Sequence, residues 1–136
     1  MIPVVAALIV RGNKLLIARR PEGKHMAGRW EFPGGKIEHG ESPEEAIERE
    51  IREELAVSIR AGRIYQAITY SYPEKDVLLL FYVASIVSGE PQTIEEAEIR
   101  WVTMEELDQY PFAPVDALLV QRLKQDTLGA LLTIQA

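Results

Sequence analysis

The sequence, 136 residues long, contains no cysteine. Without thiols there is no disulfide, no thiolate nucleophile and no cysteine-held zinc. This absence suits a reducing compartment, and a cytoplasmic protein is the expectation. A basic surplus is also missing: 15 Lys and Arg stand against 21 Asp and Glu, for a net charge of −6. Broad binding to polymeric nucleic acid needs a basic face, so no such partner is expected. A small phosphorylated substrate remains open, because a divalent cation bridges protein carboxylates to phosphate oxygens. The apolar N-terminal stretch Ile2–Val10, broken by Pro3, is too short to span a bilayer. It also lacks the basic flank and small-residue cleavage site of a signal peptide. It reads as a buried strand, and no membrane partner is expected. With no repeat, low-complexity tract or linker, the expectation is one domain over residues 1–136.

What is present is an ordinary globular balance, 47% hydrophobic and 26% charged. Val4–Val10 and Lys14–Ala18, separated by Arg11-Gly12-Asn13, read as a β-hairpin. Trp30–Phe32 is a short strand, and Pro33-Gly34-Gly35 reads as a turn in which glycine supplies positive φ. Ser42 as N-cap, Pro43 at the first helical position and Glu45 completing a capping box predict a helix from Pro43 to about Leu55. Ile47, Ile51 and Leu55 form its buried stripe. Ile59–Tyr70, Val77–Val87 and Ile99–Thr103 read as strands, Glu105–Gln109 as a short helix, and Pro114 or Asp116 opens a last helix. Mixed strands with two main helices predict an α+β chain or an α-β-α sandwich.

The chemistry concentrates on the first helix. Glu50, Glu53 and Glu54 occupy i, i+3 and i+4 and share one face, where like charges repel. Either solvation or a bound cation offsets that cost. Mg²⁺ takes oxygen ligands from a few carboxylates plus substrate phosphates. At about 100° per residue the three acids flank the apolar stripe, which places them at the edge of the core and in a cleft.

Gly35, Glu41, Arg49-Glu50-Ile51-Arg52-Glu53-Glu54 and Val57, at their spacing, closely resemble the Nudix box. The departure is Ala56, where the family has glycine. Trp30–Lys36 is similar to the segment before the box in the MutT branch. The resemblance implies a Nudix-type α-β-α sandwich with a mixed central sheet. It also implies Mg²⁺, with Mn²⁺ an alternative, held by the Gly34 carbonyl, Glu50, Glu53, Glu54 and an acid after the box. That acid falls at Glu95, with Glu96 and Glu98 as rivals. The implied activity is hydrolysis of a nucleoside triphosphate to monophosphate and pyrophosphate, with Glu50 as base and Glu95 second. Gly35, Glu41 and Arg49 take structural roles in the motif. Arg20 matches a phosphate-binding arginine, His25 a loop histidine near the nucleotide and Lys75 a cation near the base. Lys36 and Phe32 also join the substrate-binding set, Phe32 being equally a core aromatic.

Asp116 stands where the MutT branch reads oxidised guanine with asparagine. Ionised Asp only accepts hydrogen bonds, which favours a base edge with donors such as the cytosine amino group; its rival role is the N-cap of the last helix. The expectation therefore leans to CTP, dCTP or 5-methyl-dCTP, with 8-oxo-dGTP close behind. The alternatives are a non-catalytic nucleotide-binding module and a hydrolase of a dinucleotide or nucleotide sugar. Both monomer and homodimer are compatible with the sequence.

Overall fold

The computed structural model describes residues 1–126. Strand β1 (Ile2–Arg11) pairs parallel with β6 (Asp76–Ser88) from Ile2↔Val77 to Ile9↔Ala84. β6 then pairs antiparallel with β5 (Ser58–Ser71), which bulges around Ile64. The other edge of β1 is shared. β4 (Gly34–Lys36) pairs with Val4–Ala6, and β2 (Lys14–Arg19) closes the hairpin at Val10 and Arg11. β2 carries β3 (Trp30–Glu31) and β7 (Glu98–Val102), completing a seven-stranded mixed sheet.

A strand covered on both faces must be apolar, and β1 is from Ile2 to Val10. Ala6, Leu8 and Val10 enter the core beneath helix α2 (Pro114–Leu123), whereas Val5, Ala7 and Ile9 enter the one beneath helix α1 (Pro43–Leu55). This is the expected α-β-α sandwich. Ile47, Ile51 and Leu55 are fully buried on the α1 side. Burial of each such side chain contributes roughly 1.5–3 kcal/mol.

The ends of α1 follow its sequence. Ser42 Oγ accepts from Glu45 N, and Glu45 returns the bond to Ser42 N. At the other end Ala56 adopts φ 58°, ψ 33°, and its N–H reaches Arg52 O. Alanine therefore holds the left-handed cap that glycine would take without strain. Ala56→Gly is expected to stabilise the fold by up to about 1 kcal/mol. Relief of the left-handed strain outweighs the extra chain entropy of unfolded glycine. Thermal unfolding of the two proteins checks it.

Two local expectations are corrected. Pro33-Gly34-Gly35 is not a turn with positive φ; Gly34 and Gly35 are extended residues of β4. Glycine is required there by close approach, since a Cβ on Gly34 would lie 1.9 Å from Val5 O. Nor is Asp116 a helix cap. α2 starts at Pro114, its N-cap is Ala113, and Asp116 sits inside the first turn.

Candidate active site

The second half of α1, the extended β4 and the loop before β7 meet at one edge of the sheet. Arg49 organises the α1 acids. Its Nε and Nη2 bind Glu41 Oε2 and Oε1 at 2.6 and 2.9 Å, and Nη2 also binds Lys36 O at 3.1 Å. Nη1 reaches Glu50 at 3.0 Å and Glu53 at 3.2 Å. The hydrogen bond from Arg49 holds the Glu41 carboxyl below its usual range. Glu41 in turn strengthens the charge on Arg49. The fork thus ties α1 to Lys36 at the end of β4 and to Glu41 in the segment after it.

Glu54 points the other way and is only 5% exposed. The last carbonyls of a helix need donors from outside it, and here the loop before β7 supplies them. Gln92 N binds Leu55 O at 2.8 Å and Ile94 N binds Glu54 O at 3.2 Å. Pinned there and by Ala97 N to Arg19 O, the loop carries Glu96 against Glu54, carboxyl to carboxyl. Burial first, then Glu96, raises the Glu54 pKa strongly. Glu54 Oε2 and Glu96 Oε2 are both buried without a hydrogen-bond partner. Buried acceptors left unpaired are costly, so this pair is built for a donor or a cation.

A cavity of about 330 Å³ opens over these acids, lined by Glu50, Glu54, Gly34 and Gly35 with Lys24 and Lys36. Glu95 stands exposed on its rim. The acid brought to Glu54 is therefore Glu96, not the expected Glu95. One residue along an irregular loop reverses which side chain turns inward. Glu53 is half exposed, held out by Arg49. Among the described residues no three carboxylate or imidazole groups are drawn into a ready coordination sphere.

A second cavity of about 290 Å³ adjoins the first, and Arg20, Glu31, Gly34, Gly35 and Lys36 line both. Its lining is apolar in larger part, with Val4, Leu79 and Val115, and includes the buried Asp116. Trp30 N donates to Pro111 O and Ala113 N to Trp30 O, which lays β3 against the start of α2. That contact lets Asp116 Oδ1 accept from Phe32 N at 2.9 Å. Burial raises the Asp116 pKa to about 7 against the lowering effect of this bond. Burial, with Asp116 next, raises Glu31 to about 8, while Arg20 pulls it down.

The NUDIX domain family model matches residues 1–123. The chain belongs to the Nudix family. It is 37% identical to a Haemophilus influenzae 8-oxo-dGTP diphosphatase over 90% of this chain and 92% of that one. It is 38% identical to the Escherichia coli CTP pyrophosphohydrolase, covering 89% of this chain and 90% of the relative. The crystal structure of a MutT NUDIX hydrolase from Burkholderia pseudomallei superposes with a TM-score of 0.81 at 26% identity, over 90% of this chain and 97% of the other. The protein is a Nudix hydrolase.

The Nudix fold gathers most of the residues the sequence singles out. His25 lies exposed at the mouth of the second cavity, edge-on to Tyr72 with ring centres 5.7 Å apart. Lys75 is exposed on the same rim. Phe32 lines the cavity, but its ring is 2% exposed and stacks on Phe112, so it is mainly a core aromatic. Glu31 and Tyr72 were not singled out in the sequence, although both line the cavity. A lone acid between Trp30 and Phe32 in a short strand was the available signal for Glu31; a tyrosine beside a hairpin turn gives none. No helix among the described residues is long and apolar enough to cross a membrane.

Proposed function

We propose that this Nudix hydrolase cleaves a nucleoside triphosphate to the monophosphate and pyrophosphate. In this reading the phosphates lie over the carboxylates and the base lies in the cavity above Asp116. The observation that carries the reading is the pair of buried, unpartnered carboxylate oxygens on Glu54 and Glu96. They open into a cavity that also presents lysines and joins a largely apolar pocket whose lining includes a buried acid.

Hydrolases of this family work with a divalent metal, and the donor set fits one. The unpaired oxygens are hard and buried, and become anionic when a bound cation displaces their proton, as Mg²⁺ or Mn²⁺ requires. Glu54, Glu96, Glu50 and the Gly34 carbonyl would hold it, with Glu53 joining once Arg49 releases it. When bound, such an ion neutralises charge on the phosphates and acidifies water. The protein's own share is orientation and proton transfer. Lys36 and Lys24 bind phosphate oxygens, and the Glu50 carboxylate, already fixed by Arg49, accepts the proton of the attacking water.

Asp116 sets the base preference. Phe32 N–H donates to Oδ1, and in this reading a remaining lone pair of the carboxylate accepts from a base donor. This favours CTP, dCTP or 5-methyl-dCTP, whose amino group is such a donor. The 8-oxo-dGTP reading follows closely, since the Haemophilus relative is named for that substrate. The test is pyrophosphate release with Mg²⁺ across low-micromolar nucleoside triphosphates, both candidate classes, ADP-ribose and diadenosine polyphosphates. Cytidine nucleotides should give the highest kcat/KM. Asp116→Asn should raise their KM by about tenfold or more, the worth of a hydrogen bond to a charged group. Because the Asp116 pKa lies near 7, the wild-type KM for them should climb as the pH drops below that value. Much faster turnover of 8-oxo-dGTP would overturn the cytidine preference and keep the metal site. No turnover of any of these would overturn the nucleoside triphosphate reading and point to a substrate outside the panel.

A further inference from the structure

Arg20 resembles a phosphate-binding arginine, yet two of its three guanidinium nitrogens already donate within the protein. Nη1 donates to Glu31 Oε1 at 3.0 Å, and Nε donates to the backbone oxygen of His25 at 2.5 Å. Both side chains of the ion pair are largely shielded, at 28% and 16% exposure. The Arg20 backbone is engaged as well. Its N–H binds Arg29 O at 2.9 Å, and its carbonyl accepts from Gly28 N at 3.0 Å. The loop from Pro21 to Arg29 is therefore closed at its base by the Arg20 main chain and braced at its tip by the Arg20 side chain. That tip carries His25 and Met26 onto the wall of the apolar cavity. Met26 sits at φ 61°, a left-handed conformation that a side-chain-bearing residue keeps only when its surroundings impose it.

We infer that Arg20 and Glu31 are positioning residues: the pair braces the loop Pro21–Arg29 as a wall of the base cavity and so sets affinity for the base rather than for phosphate. The inference rests on the assignment of that cavity to the base. The guanidinium reaches Glu31 and the His25 carbonyl through two separate nitrogens, a geometry that the single nitrogen of lysine is expected not to reproduce. Glu31 serves as an acceptor on Arg20, a role that the glutamine amide oxygen also fills.

The test is an NMR titration of metal-free protein with cytidine and 8-oxo-2′-deoxyguanosine, each as free nucleoside and as 5′-monophosphate. The variants are Arg20→Lys, Arg20→Gln, Glu31→Ala and Glu31→Gln. Expected is a loss of roughly tenfold in both nucleoside and monophosphate affinity, by the same factor, in both Arg20 variants and in Glu31→Ala, as when an orienting group is removed. Glu31→Gln should retain most of the affinity. The His25 and Met26 amide signals should move in the free weakened variants while those of α1 stay. If the Arg20 variants lose monophosphate affinity alone, Arg20 is a phosphate contact and the inference fails. It fails equally if Glu31→Ala binds nucleoside like the wild type, or if Glu31→Gln loses as much as Glu31→Ala. Failure of the wild type to bind any nucleoside would instead remove the base-cavity assignment itself.

Discussion

Replacing Glu54 by glutamine is expected to lower kcat by about 10²–10⁴-fold and, in metal-free buffer at pH 8, to raise the melting temperature. The two effects have one cause. Glu54 is buried against Glu96, with an oxygen on each left unpartnered. A charged carboxylate in that place favours a bound cation and penalises the empty fold. Losing it removes several kcal/mol of charge stabilisation in the reaction, each 1.36 kcal/mol being tenfold in rate. The stability gain has a definite pH window. The Glu54 pKa is raised in the fold from an ordinary 4.5. Its contribution to stability is therefore fully present below about 4.5 and is lost as the pH rises through the raised value. The advantage of glutamine should vanish near pH 4 and grow toward pH 9. Mg²⁺ should reverse the order, raising the wild-type melting temperature more than that of the variant, because a ligand stabilises only the state that binds it. Retention of kcat within threefold would exclude Glu54 from the metal site.

Gly34→Ala and Gly35→Ala should part company although the residues are adjacent. A Cβ on Gly34 meets Val5 O at 1.9 Å and Ala6 Cα at 2.7 Å, both backbone atoms of the buried β1. β1 cannot retreat without disturbing its parallel ladder to β6. Gly34→Ala should therefore destabilise by more than about 4 kcal/mol or fail to yield folded protein. A Cβ on Gly35 meets the Glu50 carboxyl carbon at 2.3 Å, the free end of a side chain. That variant should fold and melt within a few degrees of the wild type, with kcat reduced roughly 10–100-fold because Glu50 is pushed from its place. Circular dichroism melts and single-substrate kinetics separate the two. Equal behaviour of the variants would contradict the close packing of β4 on β1 and α1.

The helix that carries the acids was legible to the residue, because its signals are local. A capping serine, a proline at the first position and a glutamate three residues past the cap act within one turn. The apolar spacing of Ile47, Ile51 and Leu55 then fixed the buried face and, by rotation, the face of the acids. Gly34 and Gly35 were legible as glycines that matter, but not for the right reason. A sequence cannot show that another strand's carbonyl lies where a Cβ would be.

The sequence by itself determined the family, the sandwich and the acidic face of α1. Each is written in short-range periodicity and fixed spacing within one stretch of chain. Only the tertiary structure decided the pairings across long separations. It turned Glu96 rather than Glu95 toward Glu54, because the loop before β7 docks on the last carbonyls of α1. It placed Asp116 beneath Phe32, 84 residues away, through the contact of β3 with the start of α2. It also joined Arg20 to Glu31 and to the carbonyl of His25. Those choices depend on which surfaces bury each other, and burial is a property of the folded whole rather than of any one segment.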